Sequence, residues 1–263
     1  MALTRDAAER PLDVAEPLLR VYVWELPVRV VHWLIFFSIV VLSFTGWYLH
    51  GPFVAARGQQ AFVMATMRYV HEVAGFVFAI ALLVRLYWFF VGNRWARWGA
   101  YVPFRAAHWA AVGAMLRYYL FLRWRPPYAI GHNRLAAFVY LIVYALLALQ
   151  ALTGFALLAW VLRTPPWMTL FGWLPGWLGI QPVRQLHYLL MFVFWAFTIH
   201  HVYSAVLVAG EERNGLIGSI VSGYKFVPAW LLRRELADAA PPPREWPARR
   251  PAPEPLPRGE PAP

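Results

Sequence analysis

Four stretches of more than twenty residues carry almost no charge, and this limits the possible folds more than any other feature of the chain. They run roughly from Val28 to Leu49, Val70 to Val91, Ala136 to Leu162 and Leu186 to Ala209. At ~1.5 Å per residue, each is long enough as a helix to cross the ~30 Å hydrocarbon layer of a bilayer. Lipid offers no partner for backbone polar groups, so a spanning segment must satisfy them internally, and an all-α membrane protein with a four-helix transmembrane bundle is expected. Composition agrees. Only 14% of the residues are charged and 60% are hydrophobic, against about 25% charged in soluble domains.

The formal charge of +11 could suggest nucleic acid, but its distribution argues for a membrane and against a nucleic-acid partner. No acidic residue lies between Glu72 and Glu211, and the arginines there flank the apolar runs. The connection 92–134 holds Arg94, Arg97, Arg105, Arg117, Arg123, Arg125 and Arg134, whereas the other two hold only Arg57 with Arg68 and Arg163 with Arg184. Basic loops stay inside, so this connection and both termini are expected in the cytoplasm, in a multi-pass protein of the inner (cytoplasmic) membrane.

The organisation expected from this is a cytoplasmic amino-terminal segment over 1–27, a transmembrane domain over 28–210, a cytoplasmic segment over 211–238 and a disordered tail over 239–263. The first residues, with Arg5, Asp6, Glu9 and Arg10, are too charged for a signal peptide, so the mature chain is expected to start here. Phe104 to Leu122 reads as an interfacial amphipathic helix. Pro165 to Pro182 reads as an outer loop dipping into the headgroups. The proline-dense end of the chain lacks any apolar period.

The chain has no cysteine, which excludes thiolate-ligated clusters and covalently attached haem. Ionisable groups inside spanning helices are costly and therefore point to function. His32, His71, His187, His200 and His201 qualify. His187 and His201 are 14 residues apart, about 40° short of four full turns, so they share one helix face ~21 Å apart. His200 faces almost the opposite way. With helices running alternately up and down, depth pairs His71 with His187 near the outer side and His32 with His201 near the inner side. Two bis-histidine sites without a clustered carboxylate suit haem iron better than zinc or a di-iron centre, so two haems b are expected.

The 14-residue interval recurs. Counting from His32 it reaches Gly46 at the outer depth, where a glycine lets a macrocycle approach the backbone. Counting from His71 it reaches Arg85 at the inner depth, where a guanidinium could pair with a haem propionate. Gly75, one turn from His71, and Gly154 offer further room. His200, His50 and His108 read as packing or interface residues.

Several segments together resemble the b-type cytochrome subunit of membrane-bound nickel–iron uptake hydrogenases. They are YVWELPVRVVHW from Tyr22, FTGWYL from Phe44, MRYVHEVAGF from Met67, RLYWFFVGNRWAR from Arg85, IGHNRLA from Ile130, LTGFAL from Leu152, HHVYSAV from His200 and SGYK from Ser222. The resemblance covers about Tyr22 to Lys225. It implies four helices, two haems b, and partners in an iron–sulfur small subunit and a nickel–iron large subunit, with quinone as electron acceptor. Its axial ligands fall on His32, His71, His187 and His201. It also implies a quinone contact at His132 and Asn133, which could instead cap the following helix. On this reading the chain is an electron-transfer anchor with no hydrogen-activating or other catalytic residue of its own. The rivals are the cytochrome subunit of a formate dehydrogenase or thiosulfate reductase, a stand-alone membrane cytochrome b, and a haem-free transporter using histidines for protons.

Overall fold

The computed structural model describes residues 18–53 and 62–237. The charged residues of 1–17, Arg57 and the Pro-rich tail over 239–263 lie outside them. The order is β1 (Leu18–Tyr22), α1 (Leu26–His50), α2 (Val63–Val91), a 3-10 turn (Trp98–Ala100), α3 (Ala106–Tyr119), α4 (Arg134–Leu162), α5 (Pro165–Phe171), α6 (Trp173–Leu178), α7 (Ile180–Glu212), α8 (Leu216–Ser222), β2 (Tyr224–Pro228) and α9 (Ala229–Ala237).

Helices α1, α2, α4 and α7, of 25, 29, 29 and 33 residues, are long and apolar enough to cross a membrane. Each begins before the stretch expected from hydropathy alone, α2 by seven residues, because a helix continues past its apolar window as long as nothing breaks it. Helix α1 starts on Pro27 in its first turn, where a missing N–H costs nothing. Helix α4 starts on Asn133, whose side-chain oxygen accepts from the Ala136 N–H at 2.8 Å, so one otherwise unpaired donor is satisfied.

Helix α1 packs most extensively on α2, α4 packs on α7, and α2 meets α4. The shared core is apolar: Val31, Ile35, Phe78, Leu82, Leu147, Leu190 and Phe194 are all buried. The outward faces are apolar too, with Phe37, Phe44, Ile80, Leu83, Leu189 and Ile199 exposed. That is the reverse of a water-soluble bundle and suits a lipid surround.

One end of the bundle is closed by a small built structure absent from the sequence reading. Strands β1 and β2 pair antiparallel, Leu18 opposite Pro228 and Tyr22 opposite Tyr224. Gly223, at φ +87°, leads into β2; a side chain there would meet the Tyr22 ring at 2.6 Å and the Trp24 carbonyl at 2.8 Å, so glycine is required. Arg29 reaches the Val221 carbonyl. Glu25 accepts from the Trp88 indole N–H at 2.9 Å and the Asn93 N–H at 2.8 Å. Glu235 accepts from Ile130 N–H at 3.0 Å, and Lys225 Nζ donates to the Gly131 carbonyl at 3.3 Å. These bonds pair buried polar groups and tie the 128–133 loop down from two sides. We call this the sheet end and the opposite one the far end.

At the far end, Pro165 to Pro182 is largely helical rather than a loop. Proline in the first turn starts α5, and Gly172 and Gly179 end α5 and α6. Helix α3 occupies most of the segment expected to form an interfacial helix.

Candidate functional site

The four histidines chosen by spacing and depth meet in two pairs. The ring centroids of His71 and His187 are 6.3 Å apart with planes at 68°, toward the far end. Those of His32 and His201 are 6.4 Å apart at 54°, toward the sheet end. With metal–nitrogen bonds of about 2.0–2.1 Å, two imidazoles on opposite sides of one metal have centroids roughly 6 Å apart. Both pairs have that spacing. Among the described residues no group of three His, Asp or Glu side chains could hold a metal. Each pair could offer two ring nitrogens, and a metal held there would need its remaining ligands from elsewhere, as a macrocycle supplies.

Around the far-end pair the walls come from α1 and α4. A methyl group at Gly46 would lie 3.2 Å from His71 Cε1, and one at Gly154 would lie 3.1 Å from His187 Cε1. Glycine at both positions therefore lets an imidazole edge lie against a neighbouring helix. Thr45 Oγ1 is 2.8 Å from His71 Nδ1 and Thr153 Oγ1 is 2.9 Å from His187 Nδ1. Gln150 Nε2 lies 3.5 Å from His187 Nε2. Gly75 faces Leu42 at an ordinary 4.0 Å, so no protein contact demands a glycine there.

Around the sheet-end pair the surroundings are aromatic and cationic. His201 Nδ1 meets the Tyr140 hydroxyl at 3.0 Å, while His32 Nδ1 is buried with no hydrogen bond among the described residues. Arg85 is buried at 1% exposure. It donates to the hydroxyls of Tyr144 at 3.1 Å and Tyr101 at 2.6 Å and to the Ala96 carbonyl at 3.2 Å. Among the described residues its Nη1 has no hydrogen-bond partner, so the buried cation keeps that amino group for an anion. Burial raises the Tyr101 hydroxyl well above its ordinary value, with Tyr144 adding to the shift and Arg85 opposing it.

His132 packs against Trp24 at 4.6 Å, Tyr140 at 4.7 Å and Tyr101 at 5.7 Å. Burial, then the nearby positive Lys225 and Arg85, hold its pKa well below the ordinary histidine range, so the ring is neutral at pH 7. Asn133, its neighbour, spends its side-chain oxygen on capping α4. His200 points away, bonded to Ser204 at 3.3 Å and packed near Tyr119. His50 stacks on Tyr188 at 3.8 Å.

A family model for prokaryotic cytochrome b561 matches residues 23–223. The chain belongs to that family. Relatives named "Probable Ni/Fe-hydrogenase B-type cytochrome subunit" include one from Cupriavidus necator, 38% identical over 210 residues, covering 78% of this chain and 86% of the relative. Another, from Rhizobium leguminosarum bv. viciae, is 37% identical over 211 residues, covering 78% and 88%. The Escherichia coli K12 protein named for Ni/Fe-hydrogenase 1 is 35% identical over 213 residues, covering 78% and 90%. Membership of this b-type cytochrome family implies haem b, and the four apolar helices suggest a multi-pass membrane protein. The matched span holds all four paired histidines. It also holds residues that sequence reasoning missed: Thr45, Thr153 and Tyr140, which meet three of the imidazoles. The recurrence of Thr-Gly in FTGWYL and LTGFAL was the available signal, but only the fold shows what the threonines touch.

Proposed function

We propose that the chain is the membrane anchor of a nickel–iron hydrogenase and connects it to quinone. On this reading it holds two haems b, one on His71 and His187 and one on His32 and His201. The observation that carries it is the presence of two histidine pairs of nearly equal spacing, one toward each end of a single bundle. The names of the hydrogenase relatives support the partner.

Bound haem supplies one-electron carriers at two depths, which a chain without cysteine or a resident cluster lacks. The protein's own residues do the rest. Each imidazole pair binds from two helices, α2 with α7 and α1 with α7. Gly46 and Gly154 keep methyl groups away from the far-end imidazoles. Arg85 offers Nη1 to a propionate at the sheet end. The apolar layer of Ile35, Phe78, Leu147 and Phe194 excludes water between the sites.

The arginine-rich 92–134 connection supports a cytoplasmic sheet end in an inner-membrane protein. The far end then faces the periplasm, where the iron–sulfur small subunit and the nickel–iron large subunit would sit. Quinone would react near the sheet end, with neutral His132 as its hydrogen-bonding candidate; Asn133, engaged as a cap, is the weaker of the two. Segments 1–27 and 211–238 would be cytoplasmic flanks of the 28–210 haem domain.

The test is optical. In membranes containing the partner subunits, hydrogen should reduce b-type haem, and added quinone should reoxidise it. Reduction by formate but not by hydrogen would overturn the hydrogenase assignment while leaving the haem sites.

A further inference from the structure

Each far-end imidazole faces a hydroxyl whose proton is already used. Thr45 Oγ1 donates to the Val41 carbonyl at 2.7 Å inside α1, and Thr153 Oγ1 lies 3.0 Å from the Leu149 and Gln150 carbonyls inside α4. A hydroxyl has one proton to give. With that proton on the helix backbone, Oγ1 meets the ring at 2.8 Å for His71 and 2.9 Å for His187 as an acceptor. Nδ1 then carries the ring proton, and Nε2 keeps the lone pair that a metal needs. The adjacent glycines lie against the neighbouring Cε1 edge of each ring, at 3.2 Å and 3.1 Å from Cε1 for an added methyl. The same Thr-Gly device thus acts from two different helices on two different ligands.

The sheet end is not built this way. His201 has one partner, the Tyr140 hydroxyl, and His32 Nδ1 has none among the described residues. A hydrogen bond from the distal N–H raises the basicity of a ligating imidazole. A more basic ligand favours the oxidised iron, and hydrogen bonding of this kind is a recognised lever on haem potential.

We infer that Thr45 and Thr153 are positioning residues that fix both far-end ligands as Nδ1–H donors and make the far-end site the lower-potential one of the two. The inference rests on the dihaem reading above. It gives the electron path a direction, from the far end, where the partner would dock, down to the sheet end.

A potentiometric titration of the haems in the full chain tests it. The wild type should show two b components, and His71→Ala should abolish the lower one. Thr45→Val and Thr153→Val, which remove the hydroxyl and keep the shape, should each shift the lower component upward, leave the upper one in place and weaken retention of that haem by about 10- to 100-fold. Thr45→Ser and Thr153→Ser should restore wild-type behaviour, and Tyr140→Phe should move only the upper component. Two retained haems with unchanged midpoints in both valine variants would overturn the inference, as would a shift confined to the upper component. A wild-type chain that binds no b haem would overturn the dihaem reading itself, a distinguishable failure.

Discussion

The two ends of the bundle hold histidine pairs of nearly the same spacing in different surroundings. At the far end, two threonines and two glycines fit the imidazoles symmetrically, and each support comes from within a spanning helix. At the sheet end, the pair is supported among the described residues by a single tyrosine and bordered by Arg85, His132 and a loop held by Lys225 and Glu235. The lesson is that one ligand geometry can be built either from hydroxyls and glycines within the spanning helices or beside a buried region of aromatic and cationic side chains. On the function proposed above, the first would serve as a relay and the second would lie nearer the quinone.

The largest effects should come from removing a ligand. Replacing His71 or His187 by Ala should abolish one haem and spare the other, and replacing His32 or His201 should do the converse. Haem counts on the purified variants check this, and equal loss of both haems from every variant would dissolve the distinction between the ends.

Next in size is Arg85→Leu. It strands the buried Tyr101 hydroxyl and leaves Tyr144 and the Ala96 carbonyl without their donor, at about 1–3 kcal/mol for each buried group left unpaired. Thermal unfolding in detergent should show the loss, and the sheet-end haem potential should fall as its cation goes. Arg85→Lys should recover only part of the stability, because an ammonium cannot span the same three acceptors.

A smaller change sharpens the comparison from the other side. Gly46→Ala and Gly154→Ala place a methyl 3.2 Å and 3.1 Å from an imidazole carbon, tight enough to push the ring by a few tenths of an ångström. Both should loosen the far-end haem alone, read as faster haem loss to an acceptor protein. Gly99→Ala, with open space around it, serves as the control.

His200→Ala should do least. Its ring is exposed, with one side-chain partner in Ser204, and surface changes of this kind stay within about 0.5 kcal/mol. Both haems should remain by optical count.

Much of the bundle was readable because hydrocarbon imposes length and apolarity, and because a 14-residue step returns a helix to nearly the same face. That arithmetic selects His187 over its neighbours and separates His201 from His200 without any contact information. Other features were not readable, for physical reasons. Each strand of the β1–β2 pair is five residues; β1 is mostly exposed and β2 buries a lysine beside its valine, so neither shows a hydrophobic alternation to detect, and the pair joins segments some two hundred residues apart. Pro165 to Pro182 has the composition of a loop, yet proline at a first helical turn starts a helix as readily as it breaks one. Asn133 shows where motif reasoning stops: IGHN left a quinone contact and a helix cap both open, and only the fold shows that the side-chain oxygen caps α4. Thr45 and Thr153 were visible only as part of a repeated dipeptide, since their role depends on a histidine from another helix.

The central claim is that one chain holds two separable bis-histidine haem sites, and a pyridine haemochrome count with a reduced-minus-oxidised spectrum tests it most directly when made on the wild type and on His71→Ala and His32→Ala. The account predicts two b haems per wild-type chain and one in each variant, with different remaining spectra. A wild type with one haem or none, or the same remaining haem in both variants, would contradict it.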